Sequence, residues 1–251
     1  MYNEWITIGK FTIHGYGVMI ALGFVAALLL SYYRAKKAGM NQEAILDLAL
    51  YCVIGGFLGA KILYLIVEWK TFIVSPWSVI GSSGFVVYGG IVTGILIGLG
   101  YCKWKKLNFF EYLNLIVPQI ALAQGIGRLG CFFAGCCYGS PTDSPIGIVF
   151  PAGGIAPAGV KLWPTQLIMS AGDLLIAGVL YLLARNPKYK EHACEVYMIL
   201  YGVGRFLIEY LRNDQRGDVG IFSTSQFISF FIVGGGIVML VLRMKQAKKK
   251  A

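Results

Sequence analysis

The sequence predicts an all-α polytopic membrane protein with seven transmembrane helices, its N-terminus outside and its C-terminus cytoplasmic. Three observations lead there. Hydrophobic residues make up 57% of the 251 and charged residues only 14%. The apolar runs, at roughly 16–33, 45–67, 85–101, 110–127, 165–183, 195–211 and 225–243, are long enough to cross a hydrocarbon core of about 30 Å. The basic residues behind the net charge of +10 gather in alternate connections rather than in one patch.

Those connections are the ones after the first run (Arg34, Lys36, Lys37), the third (Lys103, Lys105, Lys106), the fifth (Arg185, Lys188, Lys190) and the seventh (Arg243, Lys245, Lys248 to Lys250). Fourteen of the 22 basic residues therefore lie on one side, and that side is cytoplasmic by the lysine and arginine excess of inner loops. Charge distributed in this way is a topology signal, so no nucleic-acid partner is expected. The first run, from Tyr16 to Ser31, lacks a small-residue cleavage site and is expected to stay as a span. No soluble domain or internal repeat interrupts the chain, which reads as one integral membrane domain over 1–251, with 130–164 as a long outer-face loop segment.

The unusual residues fall on the outer side or just beneath it. Ile13-His14-Gly15-Tyr16-Gly17 puts an imidazole and a phenol at the entry to the first span, where tyrosines often serve as belt anchors. Lys61 sits six residues from the outer end of the second and has the reach to snorkel outward. Val86-Val87-Tyr88-Gly89-Gly90 opens the third with a phenol beside a glycine pair. The fourth run ends in Gly127-Arg128-Leu129-Gly130-Cys131 and continues through Gly135-Cys136-Cys137-Tyr138-Gly139. An arginine at membrane depth costs about 2.5–3.5 kcal/mol on insertion scales and faces a cavity, an anion or a headgroup. With so many glycines around it, the stretch is expected to be non-helical, re-entrant backbone lining a polar site.

Trp163-Pro164-Thr165-Gln166 starts the fifth span with residues suited to a helix N-terminus and projects the Gln166 amide into the bundle. Arg205, Glu209 and Arg212 share one face of the sixth. Glu209 can neutralise either arginine, which leaves the other for an anion. Asp47 and Asp173 read as packing or cap residues with no assigned chemistry.

Cys131, Cys136 and Cys137 admit three readings: small packing residues, a disulfide in an oxidising space, or a redox-active or nucleophilic thiol or metal site. The Cys-x4-Cys-Cys spacing lacks nearby histidine and matches no common zinc pattern, so no metal and no cofactor is expected. If the arginines converge with Gln166, Tyr16 and Tyr88, the site is cationic, rich in donors and reachable from lipid. A phospholipid headgroup is the matching anion, because guanidinium forks fit phosphate oxygens. A seven-span transporter with glycine-interrupted helices is the competing class, but the inverted repeats common there are not found.

The order of these motifs resembles the bacterial phosphatidylglycerol–prolipoprotein diacylglyceryl transferases over nearly the whole chain: His14-Gly-Tyr-Gly, Tyr88-Gly-Gly, Gly127-Arg-Leu-Gly-x-Phe, Pro164-Thr-Gln-Leu and Tyr201-Gly-x-Gly-Arg-x-x-x-Glu-x-x-Arg212. The resemblance implies a transferase of the bacterial cytoplasmic (inner) membrane. It would move diacylglycerol from phosphatidylglycerol to the lipobox cysteine of a preprolipoprotein, recognised through its signal peptide, with membrane lipid around it. Carried over residue by residue, Arg128, Arg205 and Tyr88 are the expected catalytic residues. His14, Tyr16, Lys61, Gly89, Gly90, Gln166, Glu209 and Arg212 are expected to bind substrate.

The pattern is that of a divergent member. Typical members have histidine at the position of Tyr88, asparagine at Cys131, an asparagine, glutamate or glutamine cluster where Ala134 and Cys136 stand, and Tyr-Glu in place of Ile168-Met169. The histidine is the family's favoured thiol base, worth about 10²–10⁴-fold as a positioned base. A thiol of pKa about 8.5 is already a few per cent ionised near neutrality, so its loss is compatible with activity. A paralogue using the same clamp on another lipid or acceptor is the alternative.

Overall fold

The computed structural model describes residues 3–9, 11–152, 154–187, 189–214 and 217–250. Lys188, counted above among the basic residues, lies outside them, and so do the side chains of Lys248 to Lys250. The chain divides into two compact units, Ser31–Tyr112 on the one hand and Met1–Leu30 with Leu113–Ala251 on the other.

Among the described residues six helices are long and apolar enough to cross a membrane: α1 (Gly15–Lys37), α2 (Glu43–Val67), α5 (Val87–Trp104), α6 (Phe109–Ala134), α7 (Thr165–Arg185) and α9 (Thr224–Lys250). Two short helices, α3 (Trp69–Val74) and α4 (Pro76–Ile80), lie between α2 and α5. The sixth run of the sequence forms α8 (Ala193–Ile208), only 16 residues long, extended by a 3-10 turn over Glu209–Leu211. It carries Glu195 and Arg205 and falls outside that set of six.

Polarity is arranged inside out. Leu175 is 71% and Phe231 66% exposed, whereas Gln119, Gln166 and Glu195 are fully buried. An exterior of that kind matches hydrocarbon, and inside it Glu195 pairs with Arg243 and the Gln166 amide donates to the Cys136 carbonyl. Three hairpins accompany the helices, one before α1 and two in connections, and the all-α reading did not anticipate them: β1 (Glu4–Ile8) with β2 (Phe11–His14), β3 (Ile148–Val149) with β4 (Lys161–Leu162), and β5 (Asp218–Val219) with β6 (Phe222–Ser223). In β3 to β6, strands of two residues leave no alternation for a sequence to display.

Within Ser31–Tyr112, α2 and α5 touch through glycines. A Cβ on Gly89 would stand 2.3 Å from the Gly59 carbonyl oxygen, and one on Gly90 would stand 2.8 Å from that of Gly56. Small residues facing each other are what lets transmembrane helices approach this closely. The Lys61 ammonium donates to the carbonyls of Val79 (3.1 Å), Ser82 (2.7 Å) and Gly84 (3.4 Å), and lies 5.1 Å from the Tyr64 and Phe85 rings. It holds the turn after α4 rather than extending away from the protein. Asp47 accepts from the Tyr101 hydroxyl at 2.7 Å and ties α2 to α5.

In the other unit α6 contacts α1 and α7. A Cβ on Gly23 would meet the Ala123 carbonyl oxygen at 2.9 Å, and one on Gly130 would meet that of Tyr16 at 3.0 Å. The Ser170 hydroxyl donates to the Gly125 carbonyl at 2.7 Å, linking α7 to α6. The β1–β2 hairpin docks through Trp5, edge-on to Phe133 at 5.2 Å. α8 and α9 are joined by the Arg243–Glu195 pair at 2.7 Å.

The expected re-entrant backbone is not found. α6 runs unbroken through Gly127, Arg128 and Gly130 to Ala134. Gly130 serves close helix packing, so its missing side chain is no sign of a break. The helix ends where Gly135, with φ +69°, turns the chain.

Candidate functional site

The unit containing α6 to α9 gathers most of the residues singled out by the sequence. A cavity of about 290 Å³ lies between α7 and α8, with Asp173, Tyr201 and Arg205 as polar lining among apolar neighbours such as Met169 and Ile176. Arg205 is one helical turn before Glu209, and their Nη1 and Oε2 atoms pair at 2.6 Å with both side chains buried. Its Nη2 also donates to the Ser225 hydroxyl of α9 at 2.6 Å.

Arg212 is not left over, as the shared face had suggested. Nε and Nη2 donate to the two carboxylate oxygens of Asp214 at 2.8 and 2.7 Å, and the side chain is buried. The chain leaves the helical conformation at Arg212 (φ −87°, ψ 149°), which brings Asp214 back onto the guanidinium. The long loop is anchored here too, since Ser140 N–H donates to Leu211 O at 2.8 Å and Asn213 N–H to Tyr138 O at 3.3 Å.

Arg128 differs from both. Among the described residues no hydrogen bond or ion pair engages its guanidinium. Its charge acts on Asp173 and Tyr201, which line the cavity with Arg205, and on Cys131 and Cys137. The Tyr16 phenol is within electrostatic reach of Arg128 and of all three clustered cysteines, because α1 begins against Gly130 of α6.

Gln166 is fully buried at the start of α7. Its amide donates to the Cys136 carbonyl at 2.7 Å, and the Thr165 hydroxyl donates to the Cys137 carbonyl at 2.6 Å. The Gln166 side-chain oxygen has no hydrogen-bond partner among the described residues. These two bonds fix the turn after α6 onto α7.

The three sulfurs of Cys131, Cys136 and Cys137 lie within 4.8 Å of one another, and no disulfide joins them. Hydrogen bonds from the Cys131 and Cys136 thiols hold the Cys137 thiol well below its ordinary range, with Arg212 acting in the same direction and burial opposing. Cys136 is pushed up by hydrogen bonding to Cys131 and then Cys137, and by burial.

The remaining expected residues belong to other elements. His14 is exposed on β2, opposite Glu4 in the hairpin register. Tyr88, Gly89, Gly90 and Lys61 belong to the Ser31–Tyr112 unit, where Gly89 and Gly90 pack against α2 and Tyr88 is exposed at the start of α5.

Asp173 is the residue whose chemistry sequence reasoning passed over. It is 5% exposed, its Oδ2 is buried with no hydrogen-bond partner among the described residues, and it lines the same cavity as Arg205. The available signal was an ionisable residue midway along a 21-residue apolar helix.

The chain is similar to known proteins over nearly its whole length. Residues 3–242 match the family model described as prolipoprotein diacylglyceryl transferase. The phosphatidylglycerol–prolipoprotein diacylglyceryl transferase 2 of Clostridium perfringens is 46% identical over 241 residues, covering 95% of this chain and 94% of the relative. The corresponding transferase of Clostridium tetani is 46% identical over 226 residues, with 90% and 91% covered. That of Clostridioides difficile is 33% identical over 235 residues, with 93% and 92% covered. A family model spanning almost the whole chain and relatives of this similarity place the chain in the prolipoprotein diacylglyceryl transferase family.

Proposed function

We propose that this protein transfers diacylglycerol from phosphatidylglycerol to the lipobox cysteine of a preprolipoprotein. A carbon–sulfur bond forms, the glyceryl carbon–oxygen bond to phosphate breaks, and glycerol phosphate leaves. The thiol proton must go to a base, and the phosphate gains one negative charge as it leaves. Electrostatic stabilisation is therefore needed at the phosphate, from donors already in place.

The observation that carries the assignment of roles is the contrast among the arginines. Arg212 is committed to Asp214, and Arg205 is held by Glu209 and Ser225. Arg128 has five donors that no acceptor among the described residues takes up. In the proposed mechanism Arg128 receives the phosphate, and Arg205, kept in position by Glu209, adds positive charge from the cavity wall. Asp173 takes the thiol proton. Tyr16 borders the lipid, and the Gln166 oxygen faces the bound substrate.

Topology enters the same proposal. α8 with its 3-10 extension covers 19 residues from Ala193 to Leu211, and at about 1.5–2 Å per residue this reaches roughly 30 Å. Counted with the six longer helices it makes seven spans, with the N-terminus outside and the C-terminus in the cytoplasm of a bacterial inner membrane. The basic residues at the ends of α1, α5 and α7 support that orientation.

The test is to incubate purified protein in phosphatidylglycerol-containing micelles with a lipobox peptide and detect the diacylglyceryl adduct by mass spectrometry. Adduct formation by the wild type and by Tyr88→Phe is expected. Phosphatidylglycerol binding without adduct would overturn the acceptor assignment.

A further inference from the structure

We propose that Cys131, Cys136 and Cys137 form a binding site for a soft, low-coordinate monovalent metal ion of the copper(I) type, held by three thiolates. The sulfurs already lie within 4.8 Å of one another, although the three residues span the end of α6 and the turn beyond it. Metal–sulfur bonds of about 2.3 Å place three sulfurs about 4 Å apart around a trigonal ion, so little movement is required.

The local backbone is shaped to bring the sulfurs together. Adjacent side chains such as those of Cys136 and Cys137 point apart in extended chain. Here Gly135 (φ +69°) and Cys137 (φ +61°) both adopt left-handed conformations. For a cysteine this conformation is unfavourable by about 1–2 kcal/mol, and strain of that kind persists only where the surroundings impose it. The Gln166 amide and the Thr165 hydroxyl hold it by donating to the Cys136 and Cys137 carbonyls at 2.7 and 2.6 Å.

The donor set selects the ion. Thiolates favour copper(I) and zinc among the common metals. Structural zinc is almost always four-coordinate, and among the described residues the cluster contains no histidine, carboxylate or fourth cysteine. A monovalent ion with three thiolates carries two net negative charges. Arg128 and Arg212 each act on cysteines of the cluster and supply the compensating positive field. Binding involves no redox change: three metal–sulfur bonds form, and any proton still on a thiol passes to solvent.

The experiment uses the full-length protein, reduced and kept anaerobic in detergent micelles. Copper(I) is supplied from a coloured chelator that reports its removal, and zinc(II) is titrated in parallel. One copper(I) per chain is expected, with ultraviolet thiolate-to-copper absorption. Mass spectrometry should show Cys131, Cys136 and Cys137 protected from alkylation. Cys131→Ser and Cys136→Ser should each weaken binding by about tenfold or more, whereas Cys52→Ser should leave it unchanged. Binding no greater than that of the triple serine variant overturns the proposal, as does zinc binding as tight as copper(I) binding. Should a serine variant fail to fold, wild-type protection decides alone: copper(I) that leaves the three thiols open to alkylation rules the site out.

Discussion

Replacing Asp173 with asparagine separates a catalytic carboxylate from a structural one. The side chain keeps its size and loses its charge. In the native protein Asp173 is 5% exposed and its Oδ2 has no hydrogen-bond partner, an arrangement that costs about 1–3 kcal/mol for a polar group and more for a charged one. Removing the charge relieves that penalty but forfeits attraction to Arg128 and leaves an amide to be satisfied. The balance is a change of about 0 to +1 kcal/mol in stability. For a chain of this length that corresponds to a Tm that holds or rises by about 2–4 °C. Transfer should fall by about 10²–10⁴-fold, the range for a positioned general base, or about 2.7–5.4 kcal/mol at 1.36 per tenfold. The assay pairs initial rates of peptide lipidation with thermal unfolding in the same micelles. A Tm lowered by about 5 °C or more with transfer within about threefold of wild type would refute the reasoning and make Asp173 a structural counter-ion of Arg128.

Four further outcomes follow from the geometry. Glu209→Ala strands the buried Arg205 charge and should destabilise the protein by about 3–5 kcal/mol, measured as loss of Tm and of folded yield; a Tm within about 2 °C of wild type would contradict the buried pair. Gly89→Ala places a Cβ 2.3 Å from the Gly59 carbonyl and should destabilise by about 1–3 kcal/mol through overpacking despite the higher helix propensity of alanine, which unfolding in micelles will show. Arg212→Lys loses the bidentate fork to Asp214, and limited proteolysis of the 212–224 loop should accelerate by about tenfold or more, the worth of one charged hydrogen bond of about 1.5–3 kcal/mol. Hydrogen bonds from the neighbouring thiols and the Arg212 guanidinium favour the Cys137 thiolate, whereas hydrogen bonding to Cys131 and burial disfavour that of Cys136, so iodoacetamide at pH 7 should label Cys137 ahead of Cys136. Equal labelling at pH 7 would contradict it.

Much of this was legible in the sequence because the bilayer imposes long apolar runs that periodicity and composition display directly. α2 and α7 begin and end within two residues of the runs read at 45–67 and 165–183. The Arg205–Glu209 pair was readable because helical spacing fixes which side chains meet. The fate of Arg212 was not, since Asp214 reaches it only after the chain leaves the helix. Gly130 misled for a related reason: a glycine that marks a break and one that admits a neighbouring backbone look alike in sequence, and only the Tyr16 carbonyl at 3.0 Å from a virtual Cβ tells them apart. Lys61 had two readings, and its bonds to the carbonyls of Val79, Ser82 and Gly84 add a structural contact that no sequence spacing displays. Asp173 went unread because burial without a partner is a property of three-dimensional surroundings.

The central claim is that Arg128, whose guanidinium no acceptor among the described residues takes up, receives the departing phosphate. Single-turnover release of glycerol phosphate from phosphatidylglycerol, in the presence of lipobox peptide, measures that step directly for wild type, Arg128→Lys and Arg128→Ala. Removing a charged hydrogen-bonding group of about 1.5–3 kcal/mol per contact from two contacts predicts a loss of at least about 10²-fold for alanine. Lysine, with its charge but without the fork, should recover only part of it. Release by Arg128→Ala within about threefold of wild type, with Tm unchanged, would contradict the account.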